Sequence, residues 1–140
     1  MLGARTCIVG VLLVLGAASA LCRGAFADEI TEGRTAYMRY CASCHGSNAD
    51  GHGFVAPALA QPPTDLRHLS EGHDTSLLVD RLVRTIDGRR LVTAHGERDM
   101  PVWGERFNDI PGEGPQREKA VRDRINAIVA YLMSIQTKGP

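Results

Sequence analysis

Neither sign of charge dominates this sequence, and aromatic residues are few. Its 16 lysines and arginines balance 16 aspartates and glutamates, and Phe, Trp and Tyr together make up 5% of its 140 residues. A balanced charge excludes the basic surface with which proteins usually hold nucleic acid. Because 44% of the residues are hydrophobic, the chain is also too apolar to be disordered, and its length predicts one small domain.

Long apolar runs are absent except near the start of the chain. Arg5 precedes an apolar run from Cys7 to Ala18, and two A-x-A sites follow, Ala18-Ser19-Ala20 and Ala25-Phe26-Ala27. This order of positive, apolar and small residues is typical of a secretory signal peptide. We therefore predict a signal peptide over residues 1–27 and a periplasmic location.

An uncleaved membrane anchor is the alternative for this leader. The uncharged stretch from Thr6 to Cys22 is at the short edge of the ~20 apolar residues that a spanning helix needs. Membrane association is expected only if the leader stays attached. Cleavage would leave a domain over residues 28–140 and, without Arg5 and Arg23, a net charge of about −2.

Cysteine is scarce as well, with four residues in the whole chain. Cys7 and Cys22 would leave with the leader, so that only Cys41 and Cys44 remain. A secreted domain held together by disulfides needs more cysteines, spaced more widely. The remaining pair therefore indicates another chemistry.

Three segments have apolar residues at helical spacing. They run from Ile30 to Cys41, from Ser76 to Ile86, and from Pro115 or Gln116 to Ile135. The predicted core positions on the second and third are Leu78, Leu82, Ile86, Val121, Ile125, Ile128, Val129 and Leu132. Thr75 is expected to cap the second helix and Gly88 to end it. No run alternates as a strand does, so we predict an all-α fold with three main helices.

Two long loops connect these helices. Gly46 to Pro63 is rich in Gly and Pro, and Gly88 to Gly114 is of similar character. Loops of this length are unusual in a small helical domain. They become plausible if they wrap around a bulky apolar cofactor that completes the core.

Cys41-Ala42-Ser43-Cys44-His45 is a C-x-x-C-H sequence, the attachment signature of c-type haem. Two thiols three residues apart can add to two haem vinyl groups, and the histidine that follows is then placed to ligate the iron. A structural zinc site would need a second pair of ligands. A thioredoxin-like redox pair would need a βαβ context, which the sequence lacks. We therefore predict one covalent haem c, with His45 as proximal ligand.

Met100 is the predicted second axial ligand. It lies in the loop Asp99-Met100-Pro101-Val102-Trp103, and Pro101 favours an extended conformation for the residue before it. A thioether ligand favours ferrous iron and raises the reduction potential. His95, in the same loop, is the competitor, whereas Met38 lies one turn before Cys41 and Met133 is predicted to pack in the core.

The sequence resembles the class I cytochrome c family. That family has a glycine and an aromatic residue eight and four positions before the first haem cysteine, which are Gly33 and Tyr37 here. The resemblance implies that they pack against the last helix, at Ile128 and Tyr131, where the glycine lets the two backbones approach closely. It also implies the cytochrome c fold wrapped around the haem.

The resemblance gives roles to two further residues. The family has a proline twelve residues after the haem histidine, and Pro57 stands at that position. Its carbonyl is expected to accept the Nδ1 proton of His45, which would orient the ring and make the ligand more basic. Trp103 is expected either to donate its indole N–H to a haem propionate or simply to pack beside the ring.

The implied function is that of a periplasmic electron carrier with His/Met-ligated haem c. No acid–base pair or nucleophile motif indicates an enzyme, and the expected partners are redox proteins, without nucleic acid or a small-molecule substrate. Two alternatives remain open. One is a haem c subunit of a periplasmic oxidoreductase complex, and the other is a sensor or peroxidase-like protein with an open sixth site.

Overall fold

A computed structural model describes residues 27–72, 74–89 and 100–137 of the chain. Five α-helices lie in these ranges: α1 over residues 27–40, α2 (Ala42–His45), α3 (Thr75–Asp87), α4 (Trp103–Arg106) and α5 (Gly114–Ser134), with a 3₁₀ helix at Ala56–Ala58. The described residues contain no strand, which confirms the all-α prediction. The predicted signal peptide, apart from residue 27, lies outside them, and none of their helices is long and apolar enough to cross a membrane.

Helices α1 and α5 cross in close contact at Gly33. A Cβ atom on Gly33 would lie 1.9 Å from the carbonyl oxygen of Ala127 and 3.0 Å from the Cβ of Tyr131. One turn later Tyr37 is fully buried, and its ring centroid lies 5.3 Å from that of Tyr131. The predicted packing of Gly33 and Tyr37 on the last helix is therefore present, with Ala127 at the closest approach and Ile128 buried in the core beside it.

Helix α3 has the apolar face and the stop that its sequence predicts. Leu78, Leu82 and Ile86 are buried, and Gly88 ends the helix in the left-handed conformation at φ 70°. The cap differs from the prediction, because the residue before Thr75 performs it. The carboxylate of Asp74 accepts from the amides of Ser76 and Leu77, since a residue just outside the first turn reaches those free amides best.

Helix α5 supplies more of the buried core residues than any other described helix and packs against α3. Its buried residues are Val121, Ile125, Ala127, Ile128, Val129, Tyr131 and Leu132, which include every position predicted for this face. Pro115 stands in the first turn, where its missing N–H has no helical partner to lose. The core is thus built on the three predicted helices, of which α1 ends at the C-x-x-C-H segment.

The short helix α4 lies in the segment that the sequence predicted as a long loop. It contacts α3, and Phe107, directly after it, is fully buried. An ion-pair network lies next to it: Arg89 is 2.7 Å from Asp87 and 2.7 Å from Glu118. The network ties the end of α3 to α5, and α4 holds Trp103 beside the core.

Candidate functional site

The C-x-x-C-H residues lie on one helical turn that continues the direction of α1. Cys41 breaks the regular helix, but its amide still donates to the carbonyl of Tyr37 at 2.8 Å. The amides of Cys44 and His45 both donate to the carbonyl of Cys41, at 3.1 and 2.9 Å. The two thiols and the imidazole are therefore fixed relative to α1, which is itself locked against α5 at Gly33.

All three residues line one cavity of about 270 Å³. Met100 and Trp103 line the same cavity. They lie 55 residues or more after His45 in the chain, and the sequence analysis predicted them at this site. The complete lining is Tyr40, Cys41, Cys44, His45, Leu59, Gln61, Pro62, Pro63, Thr64, Met100, Pro101 and Trp103. Among the described residues that line the cavity there is no Asp, Glu, Lys or Arg.

The imidazole of His45 is oriented by a backbone carbonyl, but not by the predicted one. Its Nδ1 lies 3.1 Å from the carbonyl oxygen of Thr64. Pro57 sits in the exposed 3₁₀ helix Ala56–Ala58 and does not line the cavity. The role that the resemblance gave to Pro57 therefore belongs to Thr64 in this structure, because the loop after the 3₁₀ helix, and not the helix itself, returns to the cavity.

A rigid turn holds the Thr64 carbonyl in place. The Asp65 carboxylate accepts from the backbone amide of Arg67 at 2.9 Å and from its guanidinium at 3.0 and 2.6 Å. These hydrogen bonds lower the pKa of Asp65. The amide of Leu66 donates to the carbonyl of Ala49 at 2.8 Å, and the Gln136 side chain donates to the carbonyl of Leu66 at 2.7 Å. The turn is thus fastened to both the loop after His45 and the end of α5.

The loop after His45 is bonded to the end of α2 along its whole length. The amides of Ala49, Gly51, Gly53 and Val55 donate, at 2.9 to 3.1 Å, to the carbonyls of Gly46, His45, Cys44 and Ser43 in that order. Three of these carbonyls, those of Ser43, Cys44 and His45, are among the last in α2, which a helix end leaves without helical partners. At Gly53 a Cβ atom would lie 2.3 Å from the carbonyl oxygen of Ser43, so only glycine allows the two backbones to come so close.

Tyr37 adds a side-chain bond to the same set of carbonyls. Its hydroxyl donates to the carbonyl of Gly46 at 2.6 Å, directly after the histidine of the motif. Burial raises the pKa of Tyr37 well above its usual value, so the hydroxyl keeps its proton. Tyr37 therefore joins two functions, packing against α5 through its ring and holding the C-x-x-C-H segment through its hydroxyl.

Met100 is half-buried against the core, and Trp103 belongs to an aromatic cluster. The Trp103 ring stacks on Phe107 with centroids 5.8 Å apart and lies 5.6 Å from the ring of Tyr40. Among the rivals of Met100, Met38 is 40% exposed on α1, and Met133 packs against the core. His95 lies outside the described residues.

Both cysteines are free thiols of intermediate exposure. Burial, with a smaller contribution from Cys44, raises the pKa of the Cys41 thiol to about 12, so that this thiol is protonated at neutral pH. No group of three or more His, Cys, Asp or Glu side chains in the described ranges could hold a metal ion.

The residues present fit a haem. Two unpaired thiols, an imidazole whose Nδ1 is already bonded and a methionine thioether share one cavity, and its walls are mainly apolar side chains. With Nδ1 engaged, the free ring nitrogen of His45 is Nε2, the atom available to a metal. The fold and this donor set define a c-type cytochrome domain.

The family comparison agrees with that class. Residues 28–132 match the family described as cytochrome c oxidase, cbb3-type, subunit III. This match covers well over half of the chain, which therefore belongs to this family of c-type cytochromes. No solved structure matches the chain significantly.

A curated relative points to the same family. The chain is 32% identical over 87 residues to the Cbb3-type cytochrome c oxidase subunit CcoP of Azospirillum brasilense. The match covers 62% of this chain and only 26% of that subunit. The similarity thus concerns one part of a much longer protein.

Several cavity residues were missed by the sequence reading. Tyr40 lies within the first predicted helix without a predicted role at the site. Four further lining residues lie in or at the end of the predicted loop from Gly46 to Pro63: Leu59, Gln61, Pro62 and Pro63. Their presence in the lining depends on how the loop folds back through the Thr64 turn. Pro62 and Pro63, directly before Thr64, were the sequence signal for an ordered loop here, because two prolines stiffen the backbone at that place.

Proposed function

We propose that this domain transfers single electrons through one haem c held by Cys41 and Cys44, with His45 and Met100 as its axial ligands. The observation that carries the proposal is the convergence of these four side chains on one cavity. When bound there, a haem supplies a one-electron couple between ferrous and ferric iron. The four residues come from two segments that only this fold brings together.

The protein's own residues act by holding this site rigid. The Thr64 carbonyl orients His45 and increases its basicity, while Pro101 restricts the backbone at Met100. Trp103 closes the cavity through its contacts with Tyr40 and Phe107. Fixed ligands on a locked loop favour electron transfer, because little rearrangement would accompany a change of oxidation state.

The setting that we favour is a haem c subunit of a membrane oxidase complex of the cbb3 type. The family match and the CcoP relative support this setting over a freely diffusing carrier. The free periplasmic carrier is the second candidate, supported by the signal-peptide pattern at residues 1–27. In either setting the domain passes electrons and depends on redox partner proteins.

Haem attachment is tested by expressing the full chain in a host with c-type haem maturation. We expect haem to stay with the polypeptide on a denaturing gel, and a mass increase equal to one haem. The double variant Cys41→Ser/Cys44→Ser should lose the covalent haem. Haem that dissociates from the wild-type chain on denaturation would contradict the proposal.

The setting is tested by affinity purification of the holo-protein from membranes of its native host. A subunit should bring the catalytic subunit of a cbb3-type oxidase with it in fixed ratio, identified by mass spectrometry. A free carrier should be recovered alone from the soluble extract. Recovery without any oxidase subunit, from membranes that contain the oxidase, would decide for the second candidate.

A further inference from the structure

The backbone of α4 is seated on an ion pair at the end of α3. A Cβ atom on Gly104 would lie 2.0 Å from Oδ1 of Asp87, 2.5 Å from Nε of Arg89 and 2.9 Å from the Asp87 carbonyl oxygen. Gly104 is buried, and any side chain at this position would overlap these atoms. Helix α4 therefore packs directly against the Asp87 and Arg89 side chains.

Arg89 connects this ion pair to α5. Its Nε donates to Asp87 at 2.7 Å, and its Nη1 donates to Glu118 at 2.7 Å. The guanidinium can hold two carboxylates at once, because its N–H groups point in fixed directions. The hydrogen bond from Arg89 lowers the pKa of the Glu118 carboxyl, so this pair stays charged at neutral pH. We call Asp87, Arg89 and Glu118 the Arg89 bridge.

The same helix α4 follows the segment that carries Met100. Three residues separate Met100 from Gly104, and one of them is Pro101, which restricts the backbone. The amide of Glu105 donates to the carbonyl of Val102 at 3.2 Å, so the first turn of α4 is bonded back to this segment. The position of α4 therefore limits how far the Met100 thioether can move from the cavity.

We propose that Arg89 and Glu118 are positioning residues for the second axial ligand: the Arg89 bridge fixes α4, and α4 keeps Met100 at the cavity. This inference rests on the proposed function, in which Met100 is that ligand. Without the bridge, α4 stays attached through the stacking of Trp103 on Phe107 but loses the support under its backbone. The position that Met100 fills should then be open in a larger fraction of molecules, and a small external ligand should enter it more easily.

The test is imidazole binding to the oxidised holo-protein. Imidazole competes with the Met100 thioether, so its apparent affinity is proportional to the fraction of molecules in which this position is open. Arg89→Gln and Glu118→Gln each remove the charge of one partner. Each should raise the affinity for imidazole about fivefold, which is the effect expected of a partly exposed charged pair. A spectrophotometric titration that follows the loss of the far-red sulfur-to-iron band measures this affinity.

Two exposed ion pairs on the same helices provide matched controls. Arg84 pairs with Asp80 on α3, and Lys119 pairs with Asp123 on α5. Arg84→Gln and Lys119→Gln remove a charge from each helix in the same way as the test variants do. Because neither pair belongs to the Arg89 bridge, both variants should keep the wild-type affinity for imidazole.

Gly104→Ala tests the contact from the side of α4 without changing a charge. The new Cβ would overlap the Asp87 carboxylate, so that α4 or the ion pair must move. We expect the affinity for imidazole to rise at least as much as in Arg89→Gln. Denaturant unfolding of each variant separates positioning from general stability, because a merely structural bridge would lower the free energy of unfolding and leave the imidazole affinity unchanged.

Wild-type imidazole affinity in Arg89→Gln, Glu118→Gln and Gly104→Ala would overturn the positioning proposal, as would an equal rise in the two control variants. The far-red band separates this failure from that of the proposed function. If the wild type lacks the band, or if Met100→Ala retains it, Met100 is not the ligand, and the proposed ligation and the positioning proposal fail together. If the band depends on Met100 and the imidazole affinity is indifferent to the Arg89 bridge, the positioning proposal alone fails.

Discussion

The Nδ1 atom of His45 lies 3.1 Å from the carbonyl oxygen of Thr64, 19 residues further along the chain. The imidazole is thereby oriented by a turn that the Asp65–Arg67 bonds close from within and that is fastened to Ala49 and to Gln136. The chemistry of the histidine thus depends on a loop that contains neither of the predicted axial ligands.

Loosening this turn should change the reduction potential of the holo-protein. Asp65→Ala removes the carboxylate that the Arg67 amide and guanidinium share, so the bond to His45 should weaken and the ligand should become less basic. A less basic ligand stabilises ferric iron less, and we expect the potential to rise. Spectroelectrochemical titration measures it. Pro57→Ala is the control and should leave the potential unchanged; the reverse pattern would return the role to Pro57.

Removing the Tyr37 hydroxyl should destabilise the holo-protein with little effect on packing. Tyr37→Phe keeps the ring against Tyr131 but loses the hydrogen bond to Gly46. The Gly46 carbonyl still accepts from Ala49, so we expect a loss of about 1 kcal/mol in the free energy of unfolding. Denaturant unfolding measures it. Tyr37→Leu, which also loses the aromatic pair, should lose more, and equal stability of Tyr37→Phe and wild type would refute the role of the hydroxyl.

Gly33→Ala should destabilise the domain although alanine is the better helix former. In an isolated helix the change would gain about 1 kcal/mol. Here the new Cβ would lie 1.9 Å from the Ala127 carbonyl oxygen, so α1 and α5 must move apart, at a cost of about 1 to 3 kcal/mol. Thermal or denaturant unfolding shows whether the free energy of unfolding of Gly33→Ala is lower or higher than that of the wild type. Arg34→Ala, an exposed change on the same helix, should stay within ~0.5 kcal/mol of the wild type, and a gain in Gly33→Ala would contradict the close crossing.

Asp109 should contribute stability that depends on pH. The hydrogen bond with Tyr40, followed by that with Arg124, lowers the pKa of the Asp109 carboxyl, and Arg124 donates to it at 2.6 Å. Because the folded pKa lies below the unfolded value of about 3.9, the contribution is present above about pH 4 and is lost as the pH falls through the folded pKa. Asp109→Asn should therefore differ most from the wild type near neutral pH.

The check for Asp109 is denaturant unfolding at a series of pH values from about 3 to 7. The two curves of stability against pH should converge at the acid end, where the wild-type carboxyl is protonated. A constant difference across the range would mean that charge plays no part at this position.

The helices could be predicted from the sequence because their signals are local. The apolar faces of α3 and α5 and the stop at Gly88 follow from residue spacing and from the conformational freedom of glycine. The cap of α3 was misplaced by one residue, since Asp74 and Thr75 are both good capping residues and only the backbone decides between them. Helix α4 was not predicted, because four residues are too few to give a periodic pattern.

The candidate site residues that lie in a sequence motif could be predicted. The residue whose position depends on the path of a loop could not. Cys41, Cys44 and His45 are adjacent in sequence, and Met100 stands before a proline in a suitable loop. The resemblance to the class I cytochrome c family implied that Pro57 supplies the carbonyl for His45. In the structure the carbonyl near His45 Nδ1 is that of Thr64. The alternate amides from Ala49 to Val55 bond to the end of α2, and these bonds determine where the loop comes back to the cavity.

The absorption spectrum of the holo-protein, in wild type and Met100→Ala, tests the central claim most directly. With His45 and Met100 on the iron, the oxidised wild type should be low-spin and show the weak far-red sulfur-to-iron band, and Met100→Ala should lose that band. Met38→Ala, at an exposed methionine outside the cavity lining, should retain it. A high-spin wild type, or a spectrum that Met100→Ala leaves unchanged, would contradict the account and move the sixth position to His95 or to an open site.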